Sequence, residues 1–300
     1  MSSILVVGTV AFDTVETPHT RAEEVLGGSA AYFAVAASYF VPVRLVAVVG
    51  EDFPPEERAF LASRNIDLTG LEVRRGKTFR WTGKYHEDMN LRDTLDLQLN
   101  VFADFSPVLP ESYRDTPYVF LANINPGLQG GVLDQLTAPR LIACDTMNHW
   151  IEGARPELEE LLRRVEVLII NDEEARLLSG ERNVVRAARK ILAMGPHTLL
   201  IKRGEYGVLQ FSAESIFAVP AYPLEEVFDP TGAGDSFAGG FLGYLAQCGD
   251  LSQVGIRKAI VYGSVVASFV VEDFSLGHLR TLKREEIDRR YRQFVSLTDF

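Results

Sequence analysis

Residues 229–235, which read DPTGAGD, carry the clearest chemical signal in the chain. Apolar side chains recur at helical spacing after this segment, at Phe237, Phe241, Tyr244 and Leu245. This spacing predicts a buried helix that begins near Gly232. Small residues in its first turn leave the free backbone N–H groups of the helix N-terminus open to an anion, which the helix dipole also attracts. We therefore predict an anion hole formed by Gly232, Ala233 and Gly234.

Asp235 lies in the first turn of the same predicted helix. A carboxylate at this place is often only a favourable partner of the helix dipole. Beside an anion hole, however, it would repel a phosphate unless it accepts a proton from a nucleophile that attacks the phosphate. Phosphoryl transfer needs N–H donors for the transferred charge and a base within reach of the attacking hydroxyl. The segment therefore indicates phosphoryl transfer.

The longer run DPTGAGDSFAGGF resembles the C-terminal signature of the ribokinase family, also called the PfkB carbohydrate kinases. The resemblance extends to GTVAFD near the start, to GGSAAYFAVAA, to NDEE at 171–174 and to KRGEYG at 202–207. It implies transfer of the γ-phosphate of ATP to a hydroxymethyl group of a sugar, a nucleoside or a related small alcohol. It also implies that Asp235 is the catalytic base and that Gly232, Ala233 and Gly234 form its anion hole.

The resemblance further implies where magnesium and ATP bind. Asn171 and Glu174 match the N-x-x-E element that organises Mg²⁺ in the family, although the same residues also suit a helix start with acids in its first turn. Lys202, Gly204 and Gly207 match the segment beside the nucleotide phosphates, although glycines in turns are common.

Thr231, with Asp229, resembles positions beside a monovalent-cation site in several relatives, and we count Thr231 among the cofactor-binding candidates. Residues 272–278 depart from the pattern of those relatives. Potassium dependence therefore stays open.

For the second substrate, Asp13 matches a carboxylate that hydrogen-bonds sugar hydroxyls in the family. Gly27 and Gly28 match the glycine pair whose backbone lines the sugar pocket. A carboxylate that accepts from two neighbouring hydroxyls is suited to binding a diol, although an Asp soon after a strand can also be a turn residue. Two polar contacts of the family are missing, because Tyr32 and Ala11 stand where asparagines are usual.

Between residues 72 and 105, Thr, Tyr, Trp and Phe recur at two-residue spacing. This pattern predicts antiparallel strands that form a small sheet, a lid, together with residues 10–21. Alternation places Phe79, Trp81 and Tyr85 on one face and Arg80 on the other. The aromatic face either packs on the body or a partner subunit, or stacks on the acceptor. Arg80, Arg92 and Asn100 accompany these aromatic residues in the insertion, and Arg80 and Asn100 are candidates for acceptor binding.

The same lid carries more apolar side chains than a sheet with one solvated side can leave exposed, including Leu95, Leu97 and Leu99. A self-complementary apolar surface favours a closed dimer, and some family members pair two lids across a two-fold axis. We therefore predict a homodimer joined through the lid.

The rest of the chain alternates short β-branched runs with amphipathic segments. The runs, which read as strands buried on both faces, are 4–8, 44–49, 118–122, 140–144, 167–170 and 198–202. Parallel β-α-β units follow from this order. We predict a ribokinase-like three-layer α/β/α sandwich with a mostly parallel central sheet and a small β-sheet lid, forming one domain over residues 1–300. Polar residues just past strand ends are weaker pocket candidates: Asn123, Asn125, Asp145 and Asn148.

Composition excludes several classes of partner. The net charge is 30 basic minus 41 acidic residues, or −11, and no long basic run occurs, which argues against nucleic acid and membrane surfaces. The uncharged stretch 25–43 opens with glycine and contains Pro42, so we expect a packed helix and not a membrane span. Cys144 and Cys248 are far apart among apolar or small neighbours, which predicts buried thiols in the cytoplasm.

Two alternatives to a sugar kinase stay open. A nucleoside kinase of the same fold is favoured if the aromatic face of the lid stacks on a base. A catalytically silent ligand-binding or assembly protein is the other, but such a protein has no need of Asp235.

Overall fold

The computed structural model describes residues 2–299. In chain order its strands are β1 (Ile4–Val7), β2 (Ala11–Glu16), β3 (Arg21–Gly27), β4 (Val43–Gly50), β5 (Ile66–Arg74), β6 (Phe79–Tyr85), β7 (Arg92–Gln98), β8 (Tyr118–Leu121), β9 (Leu141–Cys144), β10 (Val167–Asn171), β11 (Thr198–Lys202), β12 (Val208–Ser212) and β13 (Ile216–Val219). The helices are α1 (Ser29–Ala37), α2 (Pro55–Ser63), α3 (Pro126–Leu133), α4 (Asn148–Gly153), α5 (Arg155–Leu162), α6 (Asp172–Ser179), α7 (Val184–Leu192), α8 (Ala233–Cys248), α9 (Gln253–Val270), α10 (Gly277–Thr281) and α11 (Arg284–Leu297).

A large sheet of nine strands has the order β13-β12-β11-β10-β9-β8-β1-β4-β5. Its strands run in one direction except for β12, which pairs antiparallel with both β11 and β13 at one edge. Alternate residues of β1 pack into different cores: Ile4 and Val6 contact the layer that contains α1, α8 and α9, and Leu5 and Val7 contact the layer that contains α3, α5, α6 and α7. The three-layer α/β/α architecture and the six buried strands are therefore confirmed.

The uncharged stretch 25–43 contains α1, all of whose residues are buried against the large sheet and α8. Nowhere in residues 2–299 does a helix combine the length and the apolar character that crossing a membrane requires. Glycine lets α8 approach its neighbours closely, since a Cβ at Gly239 would lie 2.5 Å from the Phe33 carbonyl oxygen. A Cβ at Gly240 would lie 3.1 Å from Gly263 Cα in α9. This packing fixes the N-terminus of α8 above the carboxyl ends of the strands.

The second sheet, which we call the lid, has the order β3-β2-β6-β7. Its outer pairs are antiparallel, but β2 and β6 run parallel, so the lid is not purely antiparallel as the alternation suggested. The expected limits of the lid also change. Residues 72–74 belong to β5, which pairs with β4 in the large sheet, and residues 21–27 form β3 of the lid. Two-residue alternation is the same in an edge strand of either sheet, so the pattern could not separate them.

Candidate active site

The first turn of α8 lies between a tyrosine ring and a lysine ammonium group. Gly232 precedes the helix with φ 74°, and a Cβ there would lie 2.3 Å from ring atoms of Tyr32. A Cβ at Gly234 would lie 2.5 Å from Lys202 Nζ. Gly232 requires glycine, because its φ is positive and a side chain would displace the buried tyrosine ring, whereas a side chain at position 234 would only move the end of the flexible lysine.

The backbone amides of this turn differ in their availability. The Ala233 N–H donates to the Pro230 carbonyl oxygen at 3.2 Å, in a turn. This amide is therefore not free to bind an anion, contrary to the expectation from the sequence. Within residues 2–299, no backbone carbonyl accepts from the amides of Gly232 or Gly234. Two unpaired N–H groups beside the Lys202 ammonium form a site suited to a phosphate.

Asp235 stands in this turn with a perturbed ionisation. Burial raises the pKa of its carboxyl from 3.8 to about 6, and the charge of Glu174 adds to the rise, whereas Lys202 and Arg92 oppose it. A carboxylate with a pKa near the working pH combines the correct protonation state with a strong affinity for a proton. The site therefore contains a base next to anion-binding groups, as phosphoryl transfer requires.

Parallel pairing of β10 and β11 brings two more predicted residues to the same edge. Asn171 and Lys202 are register partners at the carboxyl ends of these strands. Asn171 and Glu174 form a reciprocal helix cap, in which each side chain accepts from the backbone N–H of the other at 2.7 Å. The cap occupies the Asn171 side-chain oxygen and Glu174 Oε2. Glu174 Oε1 has no hydrogen-bond partner in the described part of the chain, so Glu174 is the better candidate for a metal ligand.

A group of buried oxygens at the end of β9 completes this side of the site. Asp145 Oδ1, Thr146 Oγ1 and Asn148 Oδ1 are buried without a hydrogen-bond partner. Burial raises the pKa of Asp145 well above its ordinary value, and nearby Asp235 adds to this effect. In the sequence, Asp145 is marked only by its position just past a strand end, which makes it one of the weaker pocket candidates. Residues 2–299 contain no cluster of three or more His, Cys, Asp or Glu arranged to hold a metal.

The acceptor side of the cleft is formed by Asp13 and the glycine pair. A Cβ at Gly27 would lie 2.0 Å from Asp13 Oδ2, and Gly28 has φ 93°, so both glycines are needed where they stand. The pKa of Asp13 is raised from 3.8 to about 7. Burial is the main cause and the charges of Asp229 and Asp235 add to it, whereas the Gly28 amide and Arg92 oppose it. The Tyr32 hydroxyl, which replaces a polar contact of the family, is buried without a partner.

On the lid, Trp81 is the register partner of Asp13 across β2 and β6. The indole Nε1 donates to Thr94 Oγ1 at 3.1 Å, and the ring occupies the space beside Gly83, where a Cβ would lie 2.0 Å from Cη2. The Arg92 guanidinium lies 5.7 Å from the ring centroid. These contacts fix a flat aromatic surface on the strand next to Asp13, on the side towards β7.

Two predicted acceptor contacts need correction. Arg80 lies on the opposite face of the lid, where Nε pairs with Glu24 and Nη1 pairs with Asp52, both at 2.9 Å. Asn100 follows the last lid strand in a short 3₁₀ turn and donates to the Thr78 carbonyl oxygen at 3.0 Å. Neither side chain is directed at the acceptor pocket, because each is held by groups outside it.

Arg92 is instead the lid arginine whose charge reaches the site, and it lowers the pKa of both Asp13 and Asp235. It is the register partner of Tyr85 across the β6–β7 hairpin. The register of the β6–β7 hairpin places Arg92 beside the site, and the sequence alone does not determine that register.

The remaining nucleotide-side candidates fall into two groups. Gly204, with φ 53°, lies against the lid, since a Cβ there would be 2.1 Å from Asn90 Oδ1. Gly207 serves the β11–β12 hairpin, where a Cβ would lie 2.0 Å from the Val219 carbonyl oxygen. Thr231 N–H donates to Asp229 Oδ1 at 2.8 Å, and its hydroxyl donates to the Tyr85 hydroxyl at 3.1 Å. Gly207 and Thr231 therefore have structural contacts that account for them without a bound nucleotide.

Comparison with known proteins identifies the family of the chain. The family model of the pfkB family carbohydrate kinases matches residues 137–281. A cytidine kinase of Thermococcus kodakarensis is 35% identical over 270 residues, covering 86% of this chain and 95% of the relative. A nucleoside kinase of Methanothermobacter thermautotrophicus is 27% identical, with coverage of 90% and 89%. Among solved structures, an E. coli protein assigned as ribokinase II, in complex with ATP and Mg²⁺, superposes with a TM-score of 0.80 at 20% identity, covering 98% of this chain and 99% of that one.

The chain belongs to the ribokinase, or PfkB, family of carbohydrate kinases. It is an ATP-dependent kinase of a sugar or a nucleoside, which confirms the reaction expected from DPTGAGD. A catalytically silent protein is therefore set aside.

Proposed function

We propose that the acceptor is a nucleoside and that this enzyme transfers the γ-phosphoryl group of ATP to a hydroxyl of its ribose. The observation that carries the proposal is the indole of Trp81, which is fixed on the strand next to Asp13. A carboxylate that binds a sugar diol beside a flat aromatic ring suits a molecule made of ribose and a base. The names of the relatives from Thermococcus and Methanothermobacter support the same choice.

The chemical step follows from the groups around the first turn of α8. Asp235 accepts the proton of the acceptor hydroxyl, whose oxygen forms a bond to the γ-phosphorus. The bond between that phosphorus and the bridging oxygen breaks, and ADP leaves with the electron pair. The Gly232 and Gly234 amides, Lys202 and the lid residue Arg92 stabilise the negative charge on the transferred group.

The oxygens at the ends of β9 and β10 suit a magnesium ion. Glu174 Oε1 and Asp145 Oδ1 have no hydrogen-bond partner in residues 2–299, and Mg²⁺ prefers one or two carboxylates together with water and phosphate oxygens. We propose that these two carboxylates hold the metal, which when bound neutralises phosphate charge.

Both oxygens of Asp229 accept backbone N–H bonds, from Thr231 and Ser275, which accounts for the burial of Asp229 without a potassium ion.

Tryptophan fluorescence tests the proposed acceptor. The chain has two tryptophans, and Trp150 lies in the body with its Nε1 bonded to Asn123, so Trp150→Phe leaves Trp81 as the only reporter. We expect cytidine and other nucleosides to quench this emission with a saturable dependence, and ribose alone to leave it nearly unchanged. Quenching by ribose and by nucleosides alike, or by neither, would show that the indole does not stack on a base.

We further propose a homodimer joined through the lid. Strand β7 is an edge strand, and Leu95 and Leu97 on it are 56% and 53% exposed. An exposed apolar edge invites pairing with another strand, and a second copy offers a matching edge. The area is part of a continuous row, since Leu91 and Leu99 are also exposed.

The dimer is tested by introducing charge into this row. We expect Leu95→Asp and Leu97→Asp to give monomers in sedimentation velocity at micromolar concentration, with weaker acceptor binding, because a buried unpaired carboxylate is costly. Val254→Asp, at an exposed apolar position on α9, is the matched control and should stay dimeric. A native protein that sediments only as a monomer contradicts the proposal.

The two cysteines bear on the compartment. Cys144 is buried as expected, but Cys248 is exposed at the end of α8, so the expectation of two buried thiols is wrong for Cys248. Both are free. An exposed free thiol suits a reducing compartment, and we propose the cytoplasm.

A further inference from the structure

One hydrogen bond joins the lid to the segment that forms the anion hole. Tyr85, the last residue of β6, is only 4% exposed, and its hydroxyl accepts from Thr231 Oγ1 at 3.1 Å. The two residues are 146 positions apart in the chain. Thr231 directly precedes Gly232, so the bond holds the backbone at the entrance to the anion hole.

The same segment has two further restraints, and both come from the body. The Asp229 carboxylate accepts from the amides of Thr231 and Ser275, at 2.8 and 3.3 Å. The ring of Tyr32, in α1, packs directly against Gly232. Of these three restraints, only the Tyr85 hydroxyl comes directly from the lid, although Ser275 also donates its hydroxyl to the Leu26 carbonyl in β3.

The tip of the β6–β7 hairpin reaches the nucleotide side as well. Asn90 Oδ1 lies against Gly204, in the turn after β11. Arg92, at the other end of the tip, brings positive charge to Asp235. Residues 85–92 therefore contact both the anion-hole segment, residues 229–235, and the turn after β11, residues 202–207. The lid thus covers the proposed phosphoryl-transfer centre as well as the acceptor.

We propose that Tyr85 is a positioning residue that aligns the anion-hole segment when the lid closes. The proposal rests on the proposed function, since it assumes that the Gly232 and Gly234 amides bind the transferred phosphoryl group. With the lid open, the Thr231 hydroxyl loses its only hydrogen-bond partner in residues 2–299, and the Gly232 amide is held less firmly in place. Closure over the acceptor thus completes the catalytic geometry, which favours transfer to the acceptor over transfer to water.

A double-mutant cycle tests the coupling. Tyr85→Phe and Thr231→Val each remove one partner of the bond, and we expect each to lower kcat by roughly 5- to 10-fold, the loss of about one buried hydrogen bond, with the acceptor KM within about 2-fold of the native value. The double variant should be no slower than the slower single variant, because both remove the same interaction. Thr231→Ser, which keeps the hydroxyl, should restore kcat.

Tyr222→Phe is the matched control, because the Tyr222 hydroxyl bonds to Gln293 away from the cleft, and its kcat should not change. Effects of Tyr85→Phe and Thr231→Val that multiply in the double variant would overturn the proposal. So would a Tyr85→Phe enzyme with native kcat and a raised acceptor KM, which would make Tyr85 an acceptor contact. Asp235→Asn distinguishes failure of the proposed function from failure of the positioning role. If Asp235→Asn keeps native turnover, the proposed function fails. If Asp235→Asn is slow and Tyr85→Phe is unaffected, only the positioning role of Tyr85 is refuted.

Discussion

Asp235→Asn is expected to lower turnover by about 10²- to 10⁴-fold while ATP binding largely survives. Asparagine keeps the size of the side chain but cannot accept the proton of the acceptor hydroxyl. Steady-state kcat and ATP affinity by calorimetry separate the two effects. Asp115→Asn, at an exposed aspartate, is the control and should behave as the native enzyme. Near-native turnover of Asp235→Asn would contradict its role as the base.

The pH dependence of the native enzyme adds an independent check on Asp235. Because burial raises the pKa of Asp235 in the ligand-free protein to about 6, and the base must be deprotonated to act, kcat/KM should fall as the pH drops through about 6. Asp235→Asn should lose this acid limb. An acid limb that persists unchanged in the variant would assign the titration to another group.

Asp13→Asn should have opposite effects on function and stability. Hydrogen bonds to a charged group contribute about 1.5–3 kcal/mol each, so losing the carboxylate that binds the diol should lower kcat/KM for the acceptor by roughly 10²- to 10³-fold. The ligand-free variant should nevertheless melt at a higher temperature than the native protein at pH 8. The Asp13 carboxylate thus lowers the stability of the empty protein, which is the expected cost of its proposed role in acceptor binding.

The sign of the stability effect follows from the direction of the pKa shift. Burial raises the pKa of Asp13 from 3.8 to about 7, so the folded state disfavours the charged form. The destabilisation is fully present above pH 7 and disappears as the pH falls towards 3.8. The gain in melting temperature should therefore shrink between pH 8 and pH 5. A variant that melts lower than the native protein at pH 8, or that keeps native acceptor kinetics, would contradict this account of Asp13.

Much of the site could be predicted because its chemistry is local in sequence. The proposed base and the proposed anion-binding amides lie within residues 232–235, at the start of α8, and buried β-branched runs predicted the strands of the large sheet. Alternation also placed Trp81 and Arg80 on opposite faces of the lid. Alternation does not show which of those faces covers the cleft, so the sequence predicts Arg80 as an acceptor contact although its side chain pairs with Glu24 and Asp52.

Contacts between distant segments could not be predicted. The bond between Tyr85 and Thr231 depends on how the lid sits over α8, and nothing in either local sequence reports it. Arg92 reaches Asp235 through the pairing of a hairpin whose register was unknown. Asn171 and Glu174 show the converse case, because their local pattern suits both a helix cap and a magnesium site. In the structure, Asn171 uses its only side-chain oxygen for the cap.

Product analysis tests the central claim most directly. The purified protein is incubated with ATP, Mg²⁺ and one acceptor at a time, chosen from cytidine, other nucleosides, ribose and inositols, and the products are identified by phosphorus NMR and mass spectrometry. We expect a nucleoside monophosphate and an equal amount of ADP, with little product from ribose or inositol. Phosphorylation of a free sugar or an inositol in preference to every nucleoside would contradict it.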